Sequence, residues 1–361
     1  MKLPSLKDAD LEGKRVIIRM DLDVSLEALA KGDIDADIYR LEKGLESLKL
    51  ITSKAQKTII LGHRGRPDFK GDESEEQVIQ KYTLLPLVEY FNDKLKKQIS
   101  FVPYHYLSRL YDGSLDSEVF EVILVENFRF WSEEEENKDE FAQSFTQVAD
   151  LYVNEAFSVS HRKHASIVGI PKYIDSVAGI RLVEEVENLS KVFESPKRPV
   201  VILISGLKKD KLDYVDKFSS FADKILIGGR LPEYLGGDTE SVRKLRSSKI
   251  VVANLSQDKE DITVNSIEAF EEEISKAGTI VVSGPLGKFE DEGHLQGTKR
   301  VYEAVTRSSA FKVAGGGETQ KAIEKLDLSK KFDWISVGGG AMLDFLADGS
   351  LPGIEALKKD D

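Results

Sequence analysis

The chain alternates short apolar runs with amphipathic helical segments from end to end, and this alternation limits its fold more than any other feature. In the first half the runs are Arg15–Leu22, Thr58–Gly62, Ile99–Val102, Val119–Val125 and Asp150–Val153. Helical patterns at Tyr39–Thr52, Leu84–Leu95 and Asp139–Val148 lie between them. In the second half the runs are Val200–Ile204, Lys224–Ile227, Ile250–Ala253, Thr279–Val282, Phe311–Val313 and Trp334–Val337. Several are continuously apolar, as parallel strands covered on both faces must be. The expected class is α/β, with two doubly wound parallel-sheet (Rossmann-like) domains. At 361 residues the chain is long for one core. A helical segment, Gly179–Phe193, followed by the proline-bearing stretch Glu194–Pro199, marks the division. Domains are expected at 1–178 and 199–346, with 179–198 as interdomain hinge helix and linker. The sequence Asp348–Gly353 breaks the last helix, so the tail 347–361 is expected to pack back on the first domain.

Charge and composition narrow the ligands. A net charge of −12 disfavours nucleic acid, which needs a positive field. Cysteine is absent, which rules out disulfides and thiolate metal sites. No apolar run approaches the roughly 18 residues of a membrane span, and the N-terminus has no apolar signal region. A cytoplasmic protein that binds small molecules, without nucleic acid or membrane partners, is the expectation. A local basic cluster can still bind an anion, because screening acts over about 8–10 Å.

In open α/β sheets ligands bind beyond the carboxyl ends of the strands. In the first half those ends carry Asp21-Leu22-Asp23, then His63-Arg64-Gly65-Arg66, then Arg129 within Glu126–Phe130, and then His161-Arg162-Lys163-His164. Guanidinium forks suit carboxylate and phosphate. Each arginine alone could equally be an ion pair with the abundant carboxylates; several on one edge point to an anion site. In the second half the strand ends carry glycine: Gly206, Gly228-Gly229, Gly284–Gly287, Gly315–Gly317 and Gly338–Gly340. Glycine lets backbone approach a phosphate. Ala314–Thr319 opens a helix over Gln320–Lys325, and Glu318 there could hold a phosphate through Mg²⁺. Lys208, Lys209 and Lys211 form either a phosphate contact or a solvated loop. His105 and His294 read as surface residues, and the run Glu133–Glu136 as a solvated helix face or N-terminus. Neither the Walker pattern nor a G-x-G-x-x-G turn after the first strand is present, which disfavours a nicotinamide dehydrogenase.

Taken in order, these motifs resemble the phosphoglycerate kinase family. The resemblance runs nearly end to end: Arg19–Asp23, Gly62–Pro67, Glu126–Phe130, Val153–Phe157 with His161–Ser166, Ser283–Gly287 with Phe289-Glu290, Gly315–Thr319, Gly338–Gly340 and Leu351–Gly353. It implies a glycolytic transferase that moves a phosphoryl group between 1,3-bisphosphoglycerate and Mg-ADP, giving 3-phosphoglycerate and ATP. It further implies direct in-line transfer after hinge bending by a monomer. By motif position, Asp21, Leu22, Asp23, Arg40, His63, Arg64, Gly65, Arg66, Arg129 and Arg162 would form the phosphoglycerate site. Gly206, Lys208, Lys211, Gly228, Glu290, Gly316, Gly317, Glu318 and Thr319 would form the nucleotide site, with Glu318 at the metal. Arg40, Lys208 and the Gly317 amide would carry the catalytic charge.

The chain also departs from the family pattern. Asp23 stands for asparagine, Glu155 for aspartate, Ser205-Gly206-Leu207 for a Gly-Gly-Ala turn, Arg230 for glycine, Ser283 for asparagine and Glu318 for aspartate. The region 231–250 is shorter than in the family. Most departures fall on the nucleotide side. They leave two alternatives open: a non-catalytic binding or regulatory protein, and a kinase of the same fold for another phosphorylated carboxylic acid.

Overall fold

The computed structural model describes residues 2–31, 36–111, 121–235 and 249–358. Its contacts divide the chain into two units, Met1–Glu185 with Leu351–Asp361, and Val186–Ser350. The division falls inside helix Ile180–Ser190, within the expected 179–198 segment, whereas residues 347–350 of the expected returning tail belong to the second unit.

The first unit is built on a six-stranded sheet: β1 (Arg15–Arg19), β2 (Lys57–Leu61), β3 (Ile99–Val102), β4 (Val122–Val125), β5 (Leu151–Asn154) and β6 (Ser176–Ala178). Their order is β3-β4-β2-β1-β5-β6, all parallel. Residues 119 and 120 of the expected fourth strand lie outside the described residues. Strands β1, β2, β4 and β5 are buried almost throughout, as continuous apolar runs require. Val16 and Ile18 pack with Leu41, Leu45 and Leu48 of helix Ala36–Lys54 in one core. The chain returns at Leu351: the Gly353 amide donates to the Ser160 carbonyl at 2.8 Å, below β5.

The second unit repeats the plan with β7 (Val200–Ile204), β8 (Lys224–Ile227), β9 (Ile250–Val252), β10 (Thr279–Ser283), β11 (Phe311–Gly315) and β12 (Trp334–Ser336). The order is β12-β11-β10-β7-β8-β9, again parallel. The chain builds outward from β7 to β9, then crosses back to place β10 on the other side of β7. That reversal leaves a crevice at the carboxyl ends of β7 and β10. The first sheet reverses in the same way between β1 and β5. Helix Val264–Ser275 and helix Gln296–Arg307 cover the second sheet through Phe270, Ile274, Val301 and Tyr302. Among the described residues, no helix is long and apolar enough to cross a membrane.

Candidate active site

The first unit gathers its charged residues where β1, β2, β4 and β5 end. Asp21 follows β1 and is buried; it accepts hydrogen bonds from the Ser158 amide at 3.2 Å and the Ser158 hydroxyl at 2.5 Å. Burial raises its carboxyl, against the pull of Arg40. Leu22 is a packing residue, seated where a Cβ on Gly62 would fall 2.3 Å from it. Asp23 accepts from the Gly65 amide at 2.7 Å, and its carbonyl accepts from Arg40 Nη1 at 3.3 Å. Arg40 Nε is buried and, among the described residues, lacks a hydrogen-bond partner.

His63 follows β2 and is almost wholly buried. Its Nδ1 lies 3.0 Å from Arg19 Nη2. Arginine can only donate, so Nδ1 accepts and the ring proton sits on Nε2. Burial, followed by the charges of Arg19 and Arg129, holds this imidazole well below its ordinary value and therefore neutral. His63 thus offers a neutral N–H donor, with Nε2 3.9 Å from an Asp23 oxygen.

Arg64 turns away from this group: its Nε donates to the Thr83 carbonyl at 3.2 Å and its Nη2 to the Lys81 carbonyl. Arg66 and Arg162 are exposed. Arg129 lies between these extremes, donating to the Gly65 carbonyl at 2.7 Å with Glu135 3.3 Å from its Nε. In the basic stretch, His164 is partly buried and pushed down to about 3 by desolvation and then by Arg129 and Arg19, so it adds no charge at neutral pH.

Beneath the group lies a network that the sequence reading missed. Among the described residues, Arg19 is the largest fully buried side chain. Its Nε donates to Ser166 Oγ at 2.9 Å, and that hydroxyl donates to Glu134 at 2.5 Å. Glu134 lies in the first turn of helix Ser132–Glu135, at a helix N-terminus as expected, but it is fully buried and not part of a solvated face. A buried arginine needs a carboxylate on the same network, and Glu134 supplies it. The arginine at the buried carboxyl end of β1, after the apolar run Val16–Ile18, was the available signal.

In the second unit, the crevice between β7 and β10 opens into a cavity of about 710 Å³. Gly206, Lys208, Lys211, Glu290, Gly316, Gly317, Glu318 and Thr319 line it; Gly228 does not, and its neighbour Gly229 does. Gly228 instead packs against Leu286, 2.4 Å from where its Cβ would sit. Gly316 has φ +109° and turns β11 into helix Gly317–Lys325, which starts three residues earlier than the periodicity predicts. A Cβ on Gly317 would meet nothing within 4 Å, so its backbone faces open space. Thr319 Oγ1 accepts from the Gly284 amide at 2.7 Å, tying β10 to this helix.

The two lysines differ. Lys208 is exposed on the cavity wall. Lys211 is mostly buried and donates to the Ser205 carbonyl at 2.7 Å and the Ser283 carbonyl at 3.2 Å, with desolvation pushing it down to about 8. Glu318 is exposed and paired with Lys321 at 3.1 Å. Among the described residues there is no group of three or more metal-binding side chains. The exposed Glu318 carboxylate on the cavity wall suits Mg²⁺ carried on substrate phosphates, which takes one or two protein carboxylates.

Comparison with known proteins gives one family. The family model described as phosphoglycerate kinase matches residues 6–236 and 237–349. A phosphoglycerate kinase of Dictyoglomus turgidum is 34% identical over 401 residues, covering 98% of each chain. One of Fervidobacterium nodosum is 34% identical over 406 residues, covering 99% of this chain and 98% of that relative. The solved phosphoglycerate kinase of Coxiella burnetii aligns with TM-score 0.78 and 28% identity over 99% of both chains. That of Pyrococcus horikoshii aligns with TM-score 0.79 and 25% identity over 98% of both.

Proposed function

Since the chain belongs to the phosphoglycerate kinase family and catalyses reversible phosphoryl transfer between 1,3-bisphosphoglycerate and ADP, giving 3-phosphoglycerate and ATP, we propose a division of labour between its two units. The first unit binds the phosphoglycerate, through Arg40, His63, Arg66, Arg129 and Arg162 around Asp21 and Asp23. The second binds the nucleotide, in the cavity walled by Gly206, Lys208, Gly316, Gly317 and Glu290. The observation that carries this reading is that cavity, where unscreened glycine backbone, the exposed Lys208 and the Glu318 carboxylate meet at a sheet's reversal point.

Both substrates bring their own nucleophile and leaving group, so no covalent enzyme intermediate is needed. The protein's task is alignment and charge neutralisation. Arg40 and Lys208 supply positive charge to the phosphoryl group, and the Gly317 amide donates to it. Neutral His63 donates from Nε2 to the bound anion without needing a proton from solution. Glu318 would hold Mg²⁺, which when bound neutralises nucleotide phosphate charge. Lys211 keeps the ends of β7 and β10 together and is placed to exchange its carbonyl partners for phosphate oxygens. Donor and acceptor, held on separate units, meet on hinge closure, which also excludes water. The enzyme acts as a cytoplasmic monomer.

A coupled assay with ATP, 3-phosphoglycerate and Mg²⁺ tests the assignment. Arg40→Ala and Lys208→Ala are each expected to lower kcat by about 100-fold or more, with KM changing far less. Near-normal turnover in both would overturn it. EDTA is expected to abolish turnover, and Mg²⁺ to restore it.

A further inference from the structure

We propose that Arg181, braced by Glu185 and acting through Tyr39, positions Arg40 for phosphoryl transfer. The inference rests on the catalytic reading of Arg40 and extends it to the residues that set Arg40 in place.

Arg40 makes few hydrogen bonds of its own among the described residues. Among the described residues, its guanidinium makes one long hydrogen bond, from Nη1 to the Asp23 carbonyl at 3.3 Å, and its buried Nε lacks a partner. Its placement is therefore inherited from the backbone of the first turns of helix Ala36–Lys54. Tyr39, Lys43 and Ser47 of that helix lie at successive i, i+4 positions, on one face. Gly44, beside this stripe, lets the helix approach β1 and β5: a Cβ there would fall 2.8 Å from Met20 Cε and 3.8 Å from Glu155 Cγ.

The stripe meets the start of helix Ile180–Ser190 at two levels. At the lower level, Ser47 Oγ donates to Glu155 Oε1 at 2.9 Å and accepts from the Ile180 amide at 2.8 Å. The Arg181 amide donates to the same Glu155 oxygen at 3.0 Å. Two turns up, next to Arg40, the Arg181 guanidinium carbon lies 5.9 Å from the Tyr39 ring centroid, and Lys43 Nζ lies 5.0 Å from it. A cation against an aromatic ring is an attractive contact that strengthens with desolvation. Arg181 and Glu185 are both buried, with Nη2 3.0 Å and Nε 3.2 Å from Glu185 Oε1. A buried pair of this kind contributes orientation more than stability. The Arg181 guanidinium is thereby a fixed platform under Tyr39, and Tyr39 fixes the turn that presents Arg40. Charge placement in phosphoryl transfer is sensitive to displacements of about 1 Å, which can cost about 100-fold in rate.

The test uses the full-length enzyme with ATP, 3-phosphoglycerate and Mg²⁺. Tyr39→Leu removes the ring and keeps the buried pair. The double variant Arg181→Leu with Glu185→Leu removes the platform without leaving a lone buried carboxylate. Each is expected to lower kcat by about 10- to 100-fold while KM for 3-phosphoglycerate stays within about threefold. Combined with Arg40→Ala, neither should lower kcat further than Arg40→Ala alone, because both act through Arg40. Normal kcat in Tyr39→Leu, or losses that multiply with Arg40→Ala, would overturn the proposal and leave the role of Arg40 standing. Near-normal turnover in Arg40→Ala itself would overturn the role of Arg40, and this proposal with it. If the double variant does not fold, Tyr39→Leu decides alone.

Discussion

Among single residues, burial sets protonation more than local sequence does. His63 and His164 sit among arginines and are neutral, because desolvation and neighbouring cations act in the same direction. Glu155 is the acidic counterpart. It is buried just past the end of β5, its Oε1 accepts from Ser47 and the Arg181 amide, and among the described residues its Oε2 has no hydrogen-bond partner. Burial pushes its carboxyl from 4.5 up to about 8. The folded chain therefore holds a proton there that the unfolded chain releases. Its contribution to stability is complete below about pH 4.5 and is lost as pH rises through about 8. At roughly 1.4 kcal/mol per pKa unit, the loss is a few kcal/mol. Glu155→Gln copies the protonated form. Its urea midpoint is expected to fall less steeply between pH 5 and pH 8 than that of the unaltered chain. An identical slope would mean that Glu155 is ionised in the fold.

Between elements, the strand ends of the second unit are held by backbone packed on backbone. Gly284, just past β10, has φ +104°, and a Cβ there would fall 1.9 Å from the Ser205 carbonyl oxygen after β7. Gly284→Ala therefore forces β7 and β10 apart at the crevice. It is expected to cost about 2–4 kcal/mol in urea unfolding and to raise KM for ADP more than KM for 3-phosphoglycerate. Normal stability and ADP binding would remove the crevice from the nucleotide site. Strands and their ends were readable because two-sided burial writes a continuous apolar run. The three-residue β6, Ser176–Ala178, writes no such run and was missed. Helix Glu75–Tyr82 was also missed, although Ser74 and Gln77 form the reciprocal cap that announces it. At the site, residue types and order were legible, but pairing across sequence distance was not. Nothing near Glu134 in sequence foretells Arg19, and nothing near Tyr39 foretells Arg181.

At the scale of the whole molecule, two sheets with separate cores give two regions, to each of which the proposed division of labour assigns one ligand. The sequence has two tryptophans, and the units divide them: Trp131 lies in the first and Trp334 in the second. A ligand stabilises the region that binds it by RT ln(1 + [L]/Kd), about 2.7 kcal/mol at one hundred times Kd. In the Trp334→Phe variant, emission reports on the first unit alone; in Trp131→Phe it reports on the second. Chains with two cores need not unfold in one step, so the two variants can report different transitions. 3-Phosphoglycerate is expected to raise the urea midpoint seen by Trp131 while leaving that seen by Trp334 nearly unchanged. Mg-ADP should do the reverse. Equal shifts of both signals by either ligand would mean that the units unfold as one, and the ligands must then be assigned by hydrogen exchange. In that experiment 3-phosphoglycerate should slow exchange after β1, β2 and β4, and Mg-ADP after β7, β10 and β11. Protection by 3-phosphoglycerate after β7 and β11, or by Mg-ADP after β1 and β2, would reverse the proposed division of labour.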